Sequence, residues 1–551
     1  MLFIMINWLY VLITTFCLGY AFSRLAGKLF GYRIKSVDGL LMAGLGAATV
    51  YAQFFSLFYR VSLLANVVLV IFSAMTVLFW HQDMKRLLTE SFRGSSRAVK
   101  ILIPVLFVLW AYFTSRGYMV HDTKLYHAQS IRWIEEYGIV PGQGVVNSRF
   151  SYNSSVFSLA ALYSLKFVFG QSMHAMSGWF AFLLSVTTLD IIKGVKKFRF
   201  SDFANVAAIY YLTLITDEVL APSSDYATMC VLFFLVIKWL RLLEQPKEEQ
   251  QTAPYGLLCV LGVYALTLKL TAGLILLLLI KPAYRLLKEK QWKQILCYLL
   301  LGILTAAPWL IRGVLISGWL LYPFPALDLF DLPWKQKTEW VKTDVGAIKT
   351  WGRGVNNSVL AAQPIWEWYG TWFKTLSLME KGIALVDIAA LVSFVGAAIA
   401  VFLRKNWENL DRLLVCATAA CSYLYWQTSA PLPRYGYTYM LLLPALVFGW
   451  GILLLKKDRL LRGGLALYGV YKIVMLISYI AGCAWYPAYI RQVDYYSADT
   501  EVWTVEVDGA EFYCTEEDGI GYAYFPGSSA YEEFRLRGNG LKDGFEWVNP
   551  E

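Results

Sequence analysis

The chain has 551 residues, of which 58% are hydrophobic and only 16% charged, with a mean hydropathy of +0.49. A soluble globular protein carries about 25% charged residues, so that class is excluded and a polytopic membrane protein is expected. The net charge of +10, from 49 Lys plus Arg against 39 Asp plus Glu, reads as membrane orientation, because neither a nucleic-acid module nor a Walker-type phosphate loop accompanies it.

In chain order, apolar runs fall at 2–22, 38–59, 61–80, 101–118, 172–192, 203–219, 226–244, 255–268, 270–286, 295–315, 382–403, 411–427, 437–455 and 464–484. Their lengths suit a hydrocarbon core of about 30 Å and predict an all-α fold of about 14 transmembrane helices. The first run lacks a basic leader and a small-residue cleavage site, which predicts an uncleaved anchor. Of eight cysteines, only Cys514 lies clearly outside the apolar runs, a distribution that indicates neither a disulfide framework nor a zinc site.

Basic clusters at 24–35, 85–100, 193–199, 281–293, 404–412 and 456–462 mark the cytoplasmic side by the positive-inside bias. The expected organisation is transmembrane helices over 1–118, a first extracytoplasmic loop at 119–171, helices over 172–315, a second outer loop at 316–381, helices over 382–484, and a tail at 485–551. Both termini then lie outside a plasma membrane. Keeping this alternation requires 154–170 to be an interfacial or re-entrant helix. It also requires the stretch from Tyr255 to Ile280, charged only at Lys269, to be a hairpin of short helices with Lys269 near its outer tip.

The tail carries 14 Asp plus Glu against 4 Lys plus Arg, so it contributes about −10 and the membrane body about +20. Alternation from Val502 to Val507, followed by Asp508-Gly509 and Glu511-Phe512-Tyr513-Cys514, is a hairpin signal. A small β-rich extracytoplasmic appendage is expected.

The first loop holds His121, Asp122, Tyr126 and His127 just beyond a span. From Thr123 to Tyr137 it reads as a helix stopped by Gly138 and Pro141. Asp122, at the positive end of that helix, is kept ionised and can orient or deprotonate a hydroxyl; its plain alternative is a helix cap. His121 and His127 read as hydrogen-bonding loop residues rather than metal ligands. Lys269, alone in a long apolar stretch, is costly to bury and so points to function. Arg312 and Arg434 are either interfacial anchors or anion-binding groups. Asp225, with nearby Asp217 and Glu218, is a candidate for acceptor binding or for a divalent cation, although no metal motif is present. Six tryptophans between Trp334 and Trp372 suit anchoring at the headgroup level. Asn153-Ser154-Ser155 and Asn356-Asn357-Ser358 fit the glycosylation sequon.

Asp122 just past a span, Tyr126 four residues on, a surface helix ending in Phe169-Gly170, Lys269 in LTLKLTAG, Pro308-Trp309 and Arg312 before Gly318 and Tyr322-Pro323, and Arg434-Tyr435 in PLPRYGY form an ordered set. Over roughly 100–455 this set resembles the polyprenyl-phosphate-dependent glycosyltransferases of the GT-C fold, such as protein O-mannosyltransferases and lipid A aminoarabinose transferases. The chain departs from them in having His121-Asp122-Thr123 where an Asp-Glu pair is common, and in three extra leading spans, as a separate bacterial branch would. The resemblance implies an inverting membrane transferase that moves a sugar from a polyprenyl-phosphate donor to an envelope glycan, lipid or protein acceptor. It implies Asp122 as base, Lys269, Arg434 and Arg312 at the donor phosphate, and His121, Tyr126, His127, Asp225 and Tyr322 at the acceptor or substrate. The rival readings are a lipid-linked sugar flippase or transporter, and a polysaccharide polymerase or ligase.

Overall fold

A computed structural model describes residues 1–116, 119–194, 198–455, 458–483, 492, 501–516, 519–529 and 533–548. Lys196, Lys197, Lys456 and Lys457 of the basic clusters, and the start of the acidic tail apart from Gln492, lie outside the described residues. The chain is mostly helical, and each predicted apolar run falls on helix. Nine helices among the described residues are long and apolar enough to cross a membrane, as a multi-pass protein requires. This is fewer than the fourteen expected, because Met176–Thr188, Thr252–Leu268 and the apolar part of the last helix are shorter, Phe200–Leu214 has only 15 residues, and Leu410–Ser429, though 20 residues long, is less apolar.

The first two spans, α1 (Leu2–Phe30) and α2 (Val37–Ser56), cross in close contact. A Cβ at Gly19 would lie 1.9 Å from the Leu40 carbonyl oxygen, and one at Gly44 1.8 Å from that of Thr15. Small residues permit such an approach between helices in lipid. The expected hairpin around Lys269 is present: α3 (Thr252–Leu268) ends at Lys269, whose backbone is extended, and a ten-residue 3₁₀ helix, Leu270–Leu279, leads into α4 (Ile280–Lys288). A 3₁₀ helix rises about 2 Å per residue and an α-helix 1.5 Å. Those 19 residues therefore reach roughly 33 Å, enough for a bilayer core.

On the side opposite Asp122, Lys238 pairs with Asp38 at 2.6 Å, Arg241 with Asp190 at 3.0 Å, and Arg199 with both Asp190 and Asp202. These contacts tie four membrane helices together.

Three expectations change. The segment 154–170 is not one interfacial helix but two short ones: every residue of Ser155–Leu162 is buried, packed between α2 and the helix of the first loop, because its Ser and Ala side chains let neighbouring helices close over it, whereas Phe167, Val168 and Gly170 around Lys166–Phe169 are exposed. The tryptophans of the second loop are mostly core. Trp368 and Trp372 are buried and Trp334 nearly so, whereas Trp351 and Trp366 are exposed. The expected small β-rich tail is present as two two-stranded sheets, and what changes is that it packs onto the first loop. Its hairpin, β1 (Val502–Val507) with β2 (Ala510–Thr515), turns at Asp508 and Gly509, both at positive φ, as Asp-Gly predicts. Its buried Phe512, Phe534, Phe545 and Trp547 then share one core with Trp133, Val145, Val146 and Phe150 of the first loop and with Trp334.

Hydrogen bonds complete this docking. Gln129 donates to the carbonyls of Gly521 and Tyr524, Arg132 to those of Tyr522 and Ala523, and Phe545 N–H to Pro141. Tyr522 also donates to Glu135, which accepts a second bond from Ser172 at 2.6 Å.

Candidate active site

Four charged side chains from four segments meet at the Asp122 end of the spans. Arg434 hydrogen-bonds Asp122, and its Nε lies 3.2 Å from Asp225 Oδ2. Lys269 pairs with the other Asp225 oxygen and sits 3.9 Å from the centre of the Tyr435 ring. The order is Asp122, Arg434, Asp225, Lys269, alternating in sign and neutral in sum.

Local structure explains each position. Asp225 falls in the first turn of α5 (Ser224–Leu243), capped by Ser223, where the helix dipole favours a carboxylate. Lys269 stands at the extended break between α3 and the 3₁₀ segment. Arg434 opens α6 (Pro433–Leu455), and the turn before it is held by two indole N–H groups: Trp372 donates to Pro431 O at 2.7 Å and Trp426 to Leu432 O at 3.1 Å. Tyr439, one turn further along, donates to Thr271 O at 3.0 Å, so the segments bearing Arg434 and Lys269 are tied to each other.

Asp122 precedes a π-helical turn, Thr123–His127, and makes no capping hydrogen bond. The cap alternative is therefore set aside in favour of the pairing with Arg434. Single π turns occur frequently at functional sites. Behind it, His127 is buried against Tyr126 (4.4 Å between ring centres) and Phe157 (5.4 Å), and its Nδ1 has no hydrogen-bond partner. Burial pushes its pKa down to about 4, so the ring is neutral at pH 7. Burial, and then the charge of Asp122, raises the Tyr126 phenol well above its ordinary value and keeps its proton on.

Tyr322 belongs to a second group. It and Tyr152 both donate to Asp344, at 3.0 and 2.9 Å, and the rings run from Tyr322 to Tyr152 (5.8 Å) to Tyr126 (5.5 Å). Burial raises the Asp344 carboxyl above the ordinary range. Arg312 is buried and makes no contact with the charged quartet; it donates to Ser56 Oγ at 2.6 Å and to Asn153 Oδ1 at 3.4 Å. Asn153 also donates to Trp309 O and is 7% exposed, so this sequon cannot receive a glycan. His121 is exposed. Glu218 accepts from Tyr226 at 2.7 Å and Asp217 from Tyr479. Among the described residues no three His, Cys, Asp or Glu side chains converge as a metal-ligand set.

Sequence reasoning missed Asp344, whose partners lie 22 and 192 residues away. It also missed the two indole clamps; the only signals for them were the density of Trp in the second loop and the single Trp426 before PLPRYGY.

A groove of about 760 Å³ lies beside α2. Gly39, Met42, Ala43, Gly46, Ala47, Val50, Tyr51 and Phe54 line it, one helical face extending over about 22 Å. Phe54, Leu304 and Ile311 are among its exposed lining residues, so it opens sideways between α2 and α7 (Trp292–Ser317). Phe54 and Ile311 line one end, and Ser36, Lys238 and Arg241 lie at the other.

No curated protein and no solved structure matches the chain. Residues 1–441 match the model of a family described as a domain of unknown function, DUF8201, and with four-fifths of its length covered the chain belongs to that family.

Proposed function

We propose that the protein is an integral-membrane glycosyltransferase that takes a sugar from a polyprenyl-phosphate donor and transfers it to an envelope glycan, lipid or protein acceptor at the outer face of the plasma membrane. The observation that carries this reading is the meeting of Lys269, Arg434 and Asp122 at one end of the spans, each a fifth to a quarter exposed. Two cations in a half-dry setting suit a departing phosphate, and an adjacent carboxylate suits a hydroxyl nucleophile. The lateral groove, whose lining includes none of the four charged residues, adds only an apolar length that fits a hydrocarbon chain.

In the transfer, Asp122 takes the proton of the acceptor hydroxyl while that oxygen bonds to the anomeric carbon. The bond from that carbon to the phosphate oxygen breaks, its electron pair leaves with the lipid phosphate, and the configuration inverts. Lys269 and Arg434 hold the phosphate, and Tyr126 and Asp225 orient the groups around it.

The test is mass spectrometry of envelope glycans from a strain lacking the gene, complemented with wild type, Asp122→Asn or Lys269→Ala at matched membrane abundance. A sugar lost in the deletion, restored by wild type and by neither variant, supports the reading and names the product. Full restoration by both variants overturns it and favours transport of a lipid-linked sugar.

A further inference from the structure

The quartet is closed on itself, and this bears on how a donor could enter it. Arg434 already holds Asp122, and Lys269 already holds Asp225, so neither cation is free in the resting protein. The two carboxylates are not equivalent. Asp225 touches both cations and its side chain is 4% exposed, whereas among the described residues Asp122 pairs only with Arg434 and is 27% exposed. Asp225 is the fixed counter-ion at the floor of the site; Asp122 lies at its mouth. With Asp122 removed, two cations face one carboxylate and the site carries a net charge of +1. The phosphodiester of a lipid-phosphate sugar carries one negative charge, the same as the carboxylate it would replace. A guanidinium also accepts phosphate and carboxylate oxygens in the same forked geometry.

Asp122 in its resting position is already engaged, its carboxylate accepting from the Arg434 guanidinium. The turn that carries it is π-helical and its side chain caps nothing, so leaving Arg434 breaks no helix-capping bond.

We propose that Asp122 is an exchangeable counter-ion: the donor phosphate displaces it from Arg434, and that displacement frees its carboxylate to take the acceptor proton. Donor must then bind before acceptor, and an empty site is chemically silent. This rests on the transferase reading above.

The experiment measures binding of farnesyl phosphate to the full-length protein in nanodiscs, with farnesol as the tail-only control, for wild type, Asp122→Asn, Asp122→Ala and Arg434→Gln, each first shown to be monodisperse. Removing the competing carboxylate should tighten farnesyl phosphate binding about tenfold in both Asp122 variants, and Arg434→Gln should weaken it about tenfold, with farnesol binding unchanged throughout. If Arg434→Gln weakens binding but the Asp122 variants bind no more tightly than wild type, the exchange is wrong and the phosphate site stands. If no variant distinguishes farnesyl phosphate from farnesol, the phosphate site and the exchange both fall.

Discussion

Trp372 donates its indole N–H to the carbonyl of Pro431 at 2.7 Å, and through that bond a helix of the second long loop fixes the turn that presents Arg434. Replacing Trp372 with Phe keeps most of the buried ring and removes the donor, leaving a buried carbonyl without its partner. The expected cost is about 1 to 3 kcal/mol, read as a lower melting temperature in detergent. Because the bond positions Arg434, farnesyl phosphate affinity should fall as well, whereas Trp368→Phe, whose indole donates to Gln363 O, should lower stability alone.

Gly142 has φ +73°, and a Cβ there would lie 2.1 Å from the carbonyl oxygen of Phe545. Gly142→Ala should push the last strand of the tail off the first loop. Limited proteolysis would show it as faster cleavage within 501–548, with the membrane spans intact.

His127 gives a pH dependence of definite sign. Its folded pKa of about 4 lies below the ordinary 6.5 because burial disfavours the charged ring. As pH falls below 6.5 the unfolded chain takes up a proton that the folded protein refuses, so stability is lost between about pH 6.5 and 4 and is untouched above. The full effect is about 3 kcal/mol. His127→Gln should flatten the difference in melting temperature between pH 7 and about pH 4.5, relative to wild type.

The groove beside α2 can be tested by filling it. Ala47 lines its middle, and Ala47→Phe should occupy space meant for a hydrocarbon chain. Binding of both farnesyl phosphate and farnesol should drop about tenfold, while the melting temperature should hold or rise, since the change fills a void rather than crowding a packed core.

How much of this was legible in the sequence follows from the range of the interactions. Lys269 and Asp122 stand out because a charge at the edge of an apolar run is expensive, and the Asp508-Gly509 hairpin because its turn chemistry is local. The pairing pattern is a different matter. Lys269 meets Asp225 across 44 residues and Arg434 meets Asp122 across 312, and nothing in spacing encodes such contacts. The burial of 155–162 and of Trp368 and Trp372 was misjudged for a related reason. Composition marks a segment as apolar or aromatic, but whether lipid or protein covers it is decided by helices far away in the chain. The helix count fell short because four apolar runs form helices too short to span alone and Leu410–Ser429 is long enough but less apolar.

The shared core of Trp133, Val145, Phe150, Phe512, Phe545 and Trp547 also sets an order of events in biogenesis. The first loop comes early in the chain, yet most of the aromatic side chains that pack against it lie beyond residue 500. Until Phe545 and Trp547 pack against it, that loop lacks most of its interior and Trp133 and Phe150 stay uncovered. A chain halted before residue 500 would lack Phe512, Phe534, Phe545 and Trp547, and the loop that carries Asp122 would lose the side chains that close its core.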